Sequence, residues 1–482
     1  MRVITTCHPG VAGACEPSRI GIQGLWRRKR QGDTPAVKLA LPVFLVALSA
    51  APSLADEIKE IVVDDNTKTT DETVALIADI EVGDDWSPDM TEEIKRTLES
   101  SGLFRSAEVF WTQIPGGVRV NIQVKDKHSW VIAPAFYNQP TNVGGGVGFG
   151  ENNLFGENKK LLLYGQIATG DSFFIGAYVD PSIAGTRFHW QGDVFLKSGR
   201  IFEYSSPNEL LDDPKPLRES RLNYLNVGAK VGMSLWRAFS LDLRARAARV
   251  TYAKVKLAEG ATIEDITGDP DATEIPKPGT EGNDISVELS LSLDTRANWR
   301  GVTAGDKYAL TLETSTPSAG SDFDYQLFTA QYQRARKVLD RHNLILKTQL
   351  SYGRNLPFQQ EVTTGGTSMR GYKNAQLRGN LKAQANLEYS MPVFSISGFS
   401  MRALAFWDSA YVTFTKAENG PLSERHYLPG AEARGLDPFK NSVGGGVRFY
   451  LQQIVLPLLG VDFGYGLERG EYEIYLAIGL TD

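Results

Sequence analysis

From residue 128 onward, apolar and polar side chains alternate along the chain with a period of two. In the clearest stretch, residues 286–293, valine and leucine side chains at every second position alternate with serine and glutamate. The same alternation recurs at 187–197, 241–247 and 473–478. A strand with this pattern has one apolar face and one polar face. The pattern therefore predicts a long series of β-strands over residues 128–482.

The lengths of the connections distinguish between two architectures that share this alternation. Sixteen strands can be read, and the connections after even-numbered strands are short, as at 152–157, 180–186 and 235–239. Long connections follow strands 5, 7, 11 and 13, near residues 198–220, 259–283, 356–378 and 414–440. Short turns at one end and long loops at the other are typical of outer-membrane barrels. We predict a mainly β protein with a 16-stranded antiparallel transmembrane β-barrel, the alternative being a soluble periplasmic all-β protein.

Residues 56–127 have a different pattern, which predicts one small α/β domain. A first strand near residues 58–63 is followed by a helix capped by Thr70. Ser87 and Pro88 are suited to begin a second helix, and Gly102 is suited to end it. Two strands, at 107–113 and 118–124, complete the order β-α-α-β-β.

An apolar segment near the N-terminus, residues 39–55, has the organisation of a secretory signal. Basic residues at 27–30 precede it, and Ser53-Leu54-Ala55 supplies small residues before a cleavage site. The segment is shorter than the roughly 20 apolar residues that a membrane-spanning helix needs. We predict that residues 1–55 are a signal peptide with an extended leader, the alternative being a buried N-terminal helix.

Removal of this leader changes the charge and the chemistry of the chain. Residues 1–55 carry a net charge of +5, so the mature chain falls from −6 to −11. An acidic chain is a poor partner for nucleic acid, because phosphate binding needs a basic face. Cys7 and Cys15, the two cysteines, leave with the leader. The mature protein is therefore expected to have neither a disulfide nor a thiolate metal site.

No enzyme motif is found in the sequence. The five histidines lie far apart without metal-ligand spacing, and there is no nucleophile elbow or P-loop. The glycine-rich run 144–150 lacks dinucleotide-binding spacing and is better explained by strands that bend and approach closely. We expect no catalytic residue, no metal site and no cofactor.

The connection after strand 11, which is the sixth loop at the long-loop end of the barrel, contains the most informative cluster. Its sequence is Gly365-Gly366-Thr367-Ser368-Met369-Arg370-Gly371-Tyr372. It places a cation and an aromatic ring on a glycine-rich loop. By itself, this composition is also that of a solvated outer loop.

Several segments resemble the outer-membrane assembly-factor superfamily, the BamA/TamA-like or bacterial surface antigen family. The segments that carry the resemblance are Asn153-Leu154-Phe155-Gly156, Leu293-Asp294-Thr295-Arg296, Arg370-Gly371-Tyr372 and Phe406-Trp407-Asp408. The small domain is similar to a single POTRA domain, including its Ser100-Ser101-Gly102-Leu103-Phe104 step. The resemblance covers essentially all of residues 56–482.

The resemblance implies that the sixth loop folds back into the barrel lumen. Arg370, followed by Gly371 and Tyr372, would meet acids on strands 12 and 13, which are Glu388 and Asp408 here. The alternation permits this independently, because the neighbours of both acids form apolar faces that point outward. A guanidinium between two carboxylates in a partly dry lumen makes charge-assisted hydrogen bonds.

The resemblance also implies a function, the insertion of proteins into the outer membrane or their translocation across it. The first and last strands, 128–139 and 472–480, would form a lateral seam that opens, with an outward face formed by Trp130, Ile132, Ile474 and Leu476. Expected partners are the lipid bilayer, unfolded outer-membrane or secreted clients, and accessory periplasmic or lipoprotein subunits. The barrel would lie in the outer membrane with the small domain in the periplasm. Alternatives are an exporter of one dedicated secreted protein, a structural or lipid-handling barrel, and an enzyme.

Overall fold

Strands dominate the part of the chain that the computed structural model describes. This part is residues 56–478, apart from residues 140, 205–215, 237, 300–301, 397–398, 416–438 and 452–456. The predicted signal peptide, residues 1–55, lies outside the described residues. Within the described ranges, no helix is long and apolar enough to cross a bilayer.

A small α/β domain comes first in the described chain. Its elements are β1 (Asp56–Asp64), α1 (Asp71–Ala78), β2 (Asp85–Trp86), α2 (Met90–Ser100), β3 (Phe104–Ile114) and β4 (Gly117–Asp126). The sheet order is β2-β1-β4-β3, with β1 and β4 parallel and β3 and β4 forming a hairpin. Ile58, Val74, Leu98 and Ile122 are buried in its core. The predicted small α/β domain is confirmed, with the two-residue strand β2 as an addition.

The two helices of this domain differ in how well their starts could be predicted. Thr70 caps α1 as expected, because its side chain accepts a hydrogen bond from the backbone N–H of Thr73. The predicted start of α2 at Ser87 and Pro88 is wrong. Their carbonyls accept i+3 hydrogen bonds from Met90 and Thr91, so a turn precedes the helix, which begins at Met90. Gly102 follows the end of α2 with a φ of +80°, as its predicted role requires.

The second part of the chain is a closed antiparallel barrel of 16 strands, which confirms the predicted fold class. Barrel strands 1 to 16 are, in order, Trp130–Gln139, Asn142–Leu154, Lys159–Ala168, Asp171–Asp180, Phe188–Tyr204, Pro216–Trp236, Phe239–Leu257, Gly282–Asp294, Val302–Ser315, Tyr325–Lys337, Asn343–Arg354, Leu381–Ile396, Phe399–Thr413, Lys440–Leu451, Pro457–Gly466 and Glu471–Ile478. A three-residue strand, Ala297–Trp299, also pairs with strand 9.

The long connections between these strands all follow odd-numbered strands, as the sequence predicts. Every connection after an even-numbered strand is short, and the turn after strand 2 contacts the small domain. The long connections therefore lie at the opposite end of the barrel. The predicted loop at 198–220 is too long, however, because strand 5 continues to Tyr204 and strand 6 already begins at Pro216. The period of two is lost at their ends, where Ile201-Phe202 are both apolar and Arg218-Glu219-Ser220 are all polar, and for this reason the alternation underestimates their length.

The barrel closes between strands 16 and 1, and the described part of this pair is short. Among the described residues, Leu476, Ala477 and Ile478 pair with Asn138, Tyr137 and Phe136. The start of strand 16 extends past Gln139, the end of strand 1. Residues 130–135 of strand 1 extend past Ile478, the last described residue of strand 16. The two strands are thus staggered at the closing pair.

Candidate functional site

The connection between strands 11 and 12, residues 355–380 and here called loop six, folds into the barrel lumen. Two short strands within it, Val362–Thr364 and Leu377–Gly379, pair with each other and form a hairpin. Met369 and Tyr372 near its tip are buried against Ala410 and Val412 on the inner wall. Loop six is therefore a packed element of the barrel interior.

Arg370 at this tip makes the densest set of ionic contacts in the loop. Its Nε and Nη2 each donate to one carboxylate oxygen of Asp408, both at 2.9 Å. Its backbone N–H donates to the same carboxylate at 3.2 Å, and Nη1 donates to Glu388 at 3.2 Å. The structure thus brings together Arg370, Glu388 and Asp408, the three charged residues that the sequence singled out.

Asp462 and Phe406 complete this cluster, and sequence reasoning assigned neither of them to it. Asp462 on strand 15 lies 3.5 Å from Nη1 of Arg370 and also binds Arg448 through both oxygens. The guanidinium carbon of Arg370 stands 3.4 Å from the centroid of the Phe406 ring. Alternation along strand 15 could have placed Asp462 in the lumen, because Val461 and Phe463 are its outward neighbours.

Burial makes these contacts energetically important. The side chain of Asp408 is fully buried and that of Arg370 is 8% exposed. Bidentate arginine–carboxylate pairs are among the strongest hydrogen bonds in proteins. Loss of one partner from a buried pair costs about 3–5 kcal/mol, because the other charge stays buried without its counterion.

Gly371 allows the tip of loop six to touch the backbone of strand 15. Its φ is +93°, and a Cβ at this position would lie 2.7 Å from the backbone nitrogen of Gly466. On the strand, a Cβ at Gly464 would lie 2.7 Å from the nitrogen of Gly371. The lumen face of strand 15 is therefore a groove of glycines that only a glycine at the loop tip can enter.

The residues next to Arg370 attach the loop to the last hairpin, strands 15 and 16. The hydroxyl of Tyr475 accepts from the N–H of Gly371 and donates to the carbonyl of Tyr372, both at 3.0 Å. Tyr372 donates to Glu468 in the turn between these strands at 2.6 Å. Arg469 in the same turn donates to the carbonyl of Gly371 at 3.2 Å. Loop six thus holds the hairpin that forms one side of the barrel closure.

The other end of loop six contacts the opposite wall. Gln359 accepts from the hydroxyl of Tyr252 on strand 7 at 3.3 Å, and Gln360 donates to Asp284 on strand 8 at 3.2 Å. Asp284 belongs to a second buried network, in which Arg246 of strand 7 contacts Asp284 and Glu313. Loop six therefore spans the lumen from strands 7 and 8 to strands 12–16.

The small domain contacts the barrel at the turn after strand 2. The N–H of Thr70 donates to the carbonyl of Gly156 at 3.0 Å, and the side-chain amide of Asn153 donates to Thr69 at 2.8 Å. Lys68 forms an ion pair with Glu151 at 2.9 Å. A Cβ at Gly156 would lie 2.1 Å from the carbonyl oxygen of Lys68, so glycine is required here. The segment Asn153-Leu154-Phe155-Gly156 is thus a docking turn.

The four residues named for the lateral seam lie on the two closing strands, at different positions along the stagger. Leu476 lies in the paired segment, opposite Asn138. Trp130 and Ile132 lie on strand 1 beyond Ile478, and Ile474 extends past the other end of strand 1. The sequence indicated which faces point outward but not the stagger, because the register of a pair cannot be derived from the alternation of each strand.

Comparisons with known proteins give the chain a family. The model described as the Omp85 superfamily domain matches residues 153–480. A search of curated proteins found no match in sequence. The crystal structure of BamA from Haemophilus ducreyi lacking POTRA domains 1–3 aligns with a TM-score of 0.59 and 15% identity, over 88% of this chain and 85% of that chain.

Two further solved structures have the same fold. CdiB from Acinetobacter baumannii aligns with a TM-score of 0.59 and 13% identity, over 89% of this chain and 74% of that chain. CdiB from Escherichia coli aligns with a TM-score of 0.51 and 12% identity, over 91% and 94%. The structural likeness establishes the fold, and the family match extends over more than half of the chain. This chain is therefore an outer-membrane β-barrel that belongs to the Omp85 superfamily.

Proposed function

We propose that this chain inserts proteins into the bacterial outer membrane or moves them across it, and that clients engage the seam between strands 16 and 1. Members of the Omp85 superfamily handle protein substrates in the outer membrane, which supports the general class of function. The mechanism is strand addition, in which an incoming strand pairs with backbone groups at an opened edge. It requires no catalytic residue, metal or cofactor in the barrel.

The observation that carries this proposal is the short overlap at the closing pair. Among the described residues, three register pairs join strands 16 and 1, whereas strand 6, with 21 residues, is paired with both neighbours over nearly its whole length. At a net contribution of about 0.5–1.5 kcal/mol per hydrogen bond, the described part of the closing pair costs less to separate than either of the pairs that strand 6 makes. The barrel would therefore open there first.

Loop six has a defined part in this mechanism. Tyr475 ties the tip of the loop to strand 16, and Tyr372 ties it to the turn before that strand. With the loop docked, the last hairpin stays in place while strand 1 separates from it. We propose that the Arg370 cluster anchors this arrangement and that undocking the loop would disorder the edge that receives the client.

The small domain is proposed to be a POTRA domain that lies in the periplasm. Its order of elements supports this, and so does the alignment with the BamA structure, whose 88% share of this chain exceeds the barrel alone, about three quarters of the chain. Strand β3 is an edge of its sheet and carries the exposed side chain of Phe110. Such an edge can present an extended client by strand addition.

In-cell photo-crosslinking at the seam tests the proposal. A photoreactive residue replaces Ile132, which is exposed on the outer face of strand 1. The matched control replaces Leu350, which is similarly exposed on the outer face of strand 11. We expect outer-membrane barrel precursors to be trapped at position 132 and not at 350. Equal trapping at both positions would contradict a seam mechanism, because both would then report only contact with neighbours in the membrane.

A dedicated exporter of one secreted protein is the second candidate. The alignment with CdiB, as good by TM-score as that with BamA, favours it. In that case a single large polypeptide should be trapped, and it should crosslink to lumen positions more strongly than to Ile132. Capture of lipid alone at the seam would support a structural or lipid-handling barrel.

A further inference from the structure

A chamber of about 880 Å³ remains open in the lumen beside loop six. Strands 9, 11, 12 and 13 supply one cation each to its lining, Lys307, Lys347, Lys382 and Arg402. Three acids line it as well: Asp294, Glu388 and Asp462. The chamber is thus a polar compartment with both cations and acids in its lining.

All three acids are already neutralised by arginines of the wall or of loop six. Asp294 binds Arg296 through both oxygens, at 2.9 and 2.7 Å. Asp462 binds Arg448 in the same way, and Glu388 binds Arg370. None of the three has a lysine partner within the chamber at salt-bridge distance among the described residues. Asp408 already pairs with Arg370, so the seven cations of the lining face four acids, the three above and Asp408, and three positive charges remain in excess.

Two of these cations are also deeply buried. Lys382 is 8% exposed, and its Nζ donates to the carbonyl of Thr363 at 3.3 Å. Arg402 is 6% exposed and donates to Ser390, a neutral side chain, at 2.9 Å. Within the described ranges, neither has a carboxylate within 4.0 Å, the distance that defines an ion pair here. Buried charges are normally paired, so both point to a counterion other than the described acids of the wall and of loop six.

The register of the wall adds to this excess of positive charge. Arg402 on strand 13 is directly opposite Arg448 on strand 14. Like charges in directly opposite positions destabilise a sheet unless something neutralises them. The carboxylate of Asp462 serves Arg448, and no equivalent acid serves Arg402 among the described residues.

We propose that this lumen chamber is an anion-binding compartment that concentrates small hydrated anions in a protein whose net charge is negative. A concave site lined by one sign of charge, with low-dielectric walls, focuses the field and raises the local concentration of counterions. The occupant is a small anion because loop six limits the space to about 880 Å³. This inference does not rest on protein insertion, and either can fail without the other.

The absence of cysteine after residue 15 allows a direct test of the potential in the chamber. Gln349 lines the chamber on strand 11, two residues from Lys347 and diagonally across from Lys382. Gln349→Cys, in the full chain that also carries Cys7→Ser and Cys15→Ser, is treated in detergent with an anionic and a cationic methanethiosulfonate of similar size. Ser318→Cys, exposed in the connection after strand 9, provides the intrinsic ratio of the two rates.

At each cysteine we take the rate of modification by the anionic reagent divided by the rate for the cationic reagent. This ratio is expected to be about ten times higher at Gln349→Cys than at Ser318→Cys, a normalised ratio of about ten. Lys347→Gln together with Lys382→Gln, in the same background, should bring it close to one, while heat-dependent gel migration confirms that the barrel is folded. A normalised ratio of one or less would overturn the proposal. So would a ratio that the two neutralising substitutions do not change, or a cysteine that neither reagent reaches while Ser318→Cys reacts completely.

Discussion

The two sides of this barrel are held together in different ways. On the side of strands 5–7, strands of 17, 21 and 19 residues pair along almost their whole lengths. On the side of strands 15, 16 and 1, the strands have 10, 8 and 10 residues, and the described closing pair has three register positions. Long backbone pairing thus secures the first side, whereas the second depends on contacts from inside the lumen.

Each side contains a buried arginine, and the comparison shows what the contacts are for. Arg246 lies on strand 7 and binds Tyr224, Glu313 and Tyr325, which belong to strands 6, 9 and 10 of the wall. Arg370 lies on a loop and binds Asp408 on the wall. Similar chemistry therefore reinforces the wall in one case and docks a separate element in the other. Only the second kind of contact can be undone without breaking the sheet.

The largest expected effect is that of Arg370→Ala. It leaves Asp408 buried without its cation, and we expect a loss of about 3–5 kcal/mol in the stability of the docked loop. Lys373 should then become accessible to trypsin added to folded protein. Arg244→Ala is the matched control, because Arg244 pairs with Asp193 within the wall and contacts no residue of loop six in the described structure. Resistance of Arg370→Ala to trypsin would show that the cluster does not hold the loop.

A double-mutant cycle over Arg370 and Asp408 sharpens this result. Asp408→Asn keeps the size of the side chain and removes the charge, so it should destabilise the loop in the same direction. Residues in direct contact show coupling energies of about 0.5–3 kcal/mol, and we expect a value near the top of that range for a buried bidentate pair. The measurement is the midpoint of urea-induced loss of trypsin resistance. Coupling near zero would mean that the two residues act independently.

Tyr475→Phe should have a smaller effect that is confined to the seam side. The substitution leaves the N–H of Gly371 without its acceptor, at a cost of about 1–3 kcal/mol, while the carbonyl of Tyr372 keeps its second donor, the N–H of Gly366. We expect faster hydrogen exchange in strand 16 and at the tip of loop six. Tyr472→Phe on the same strand is the control, because Tyr472 is exposed on the outer face. Equal exchange in both variants would argue against a loop that braces the hairpin.

The smallest effect concerns residues 67–70, the segment of the small domain that contacts the barrel. Burial alone would raise the pKa of Asp126, but hydrogen bonds from Thr69, Lys68 and Thr67 outweigh it and hold the pKa below its usual value. A lowered carboxyl pKa stabilises the fold above the unfolded value of about 3.9, and this contribution is lost as the pH falls through the folded pKa. Protection of the amides at 67–69, corrected for intrinsic exchange, should therefore decrease in acid.

Asp126→Asn should reduce that protection at neutral pH and remove most of its pH dependence. Asp89→Asn is the control, since Asp89 makes no side-chain cap on α2. If Asp126→Asn kept the full acid-dependent loss of protection, another group would be responsible for it.

The sequence predicted which residues of a strand face the lumen, but it did not predict the register between strands. Alternation was enough to place Glu388 and Asp408 in the lumen, because each strand reveals its own two faces. It could not place Ile132 relative to strand 16, since register depends on both strands. Asp462 and Tyr475 were missed for a related reason. Their alternation assigns them to the lumen, but only the path of loop six shows that Arg370 and Gly371 reach them.

Locking the closing pair tests the central claim most directly. Asn138→Cys with Leu476→Cys joins two residues that face each other across the seam, and Val227→Cys with Ala247→Cys joins strands 6 and 7 in the same manner. With each disulfide complete, we expect the seam lock to stop trapping of clients at position 132 and their appearance as heat-modifiable barrels, and a reductant to restore both. The strand 6–7 lock should change neither. Full client insertion by the oxidised seam-locked protein would contradict the account.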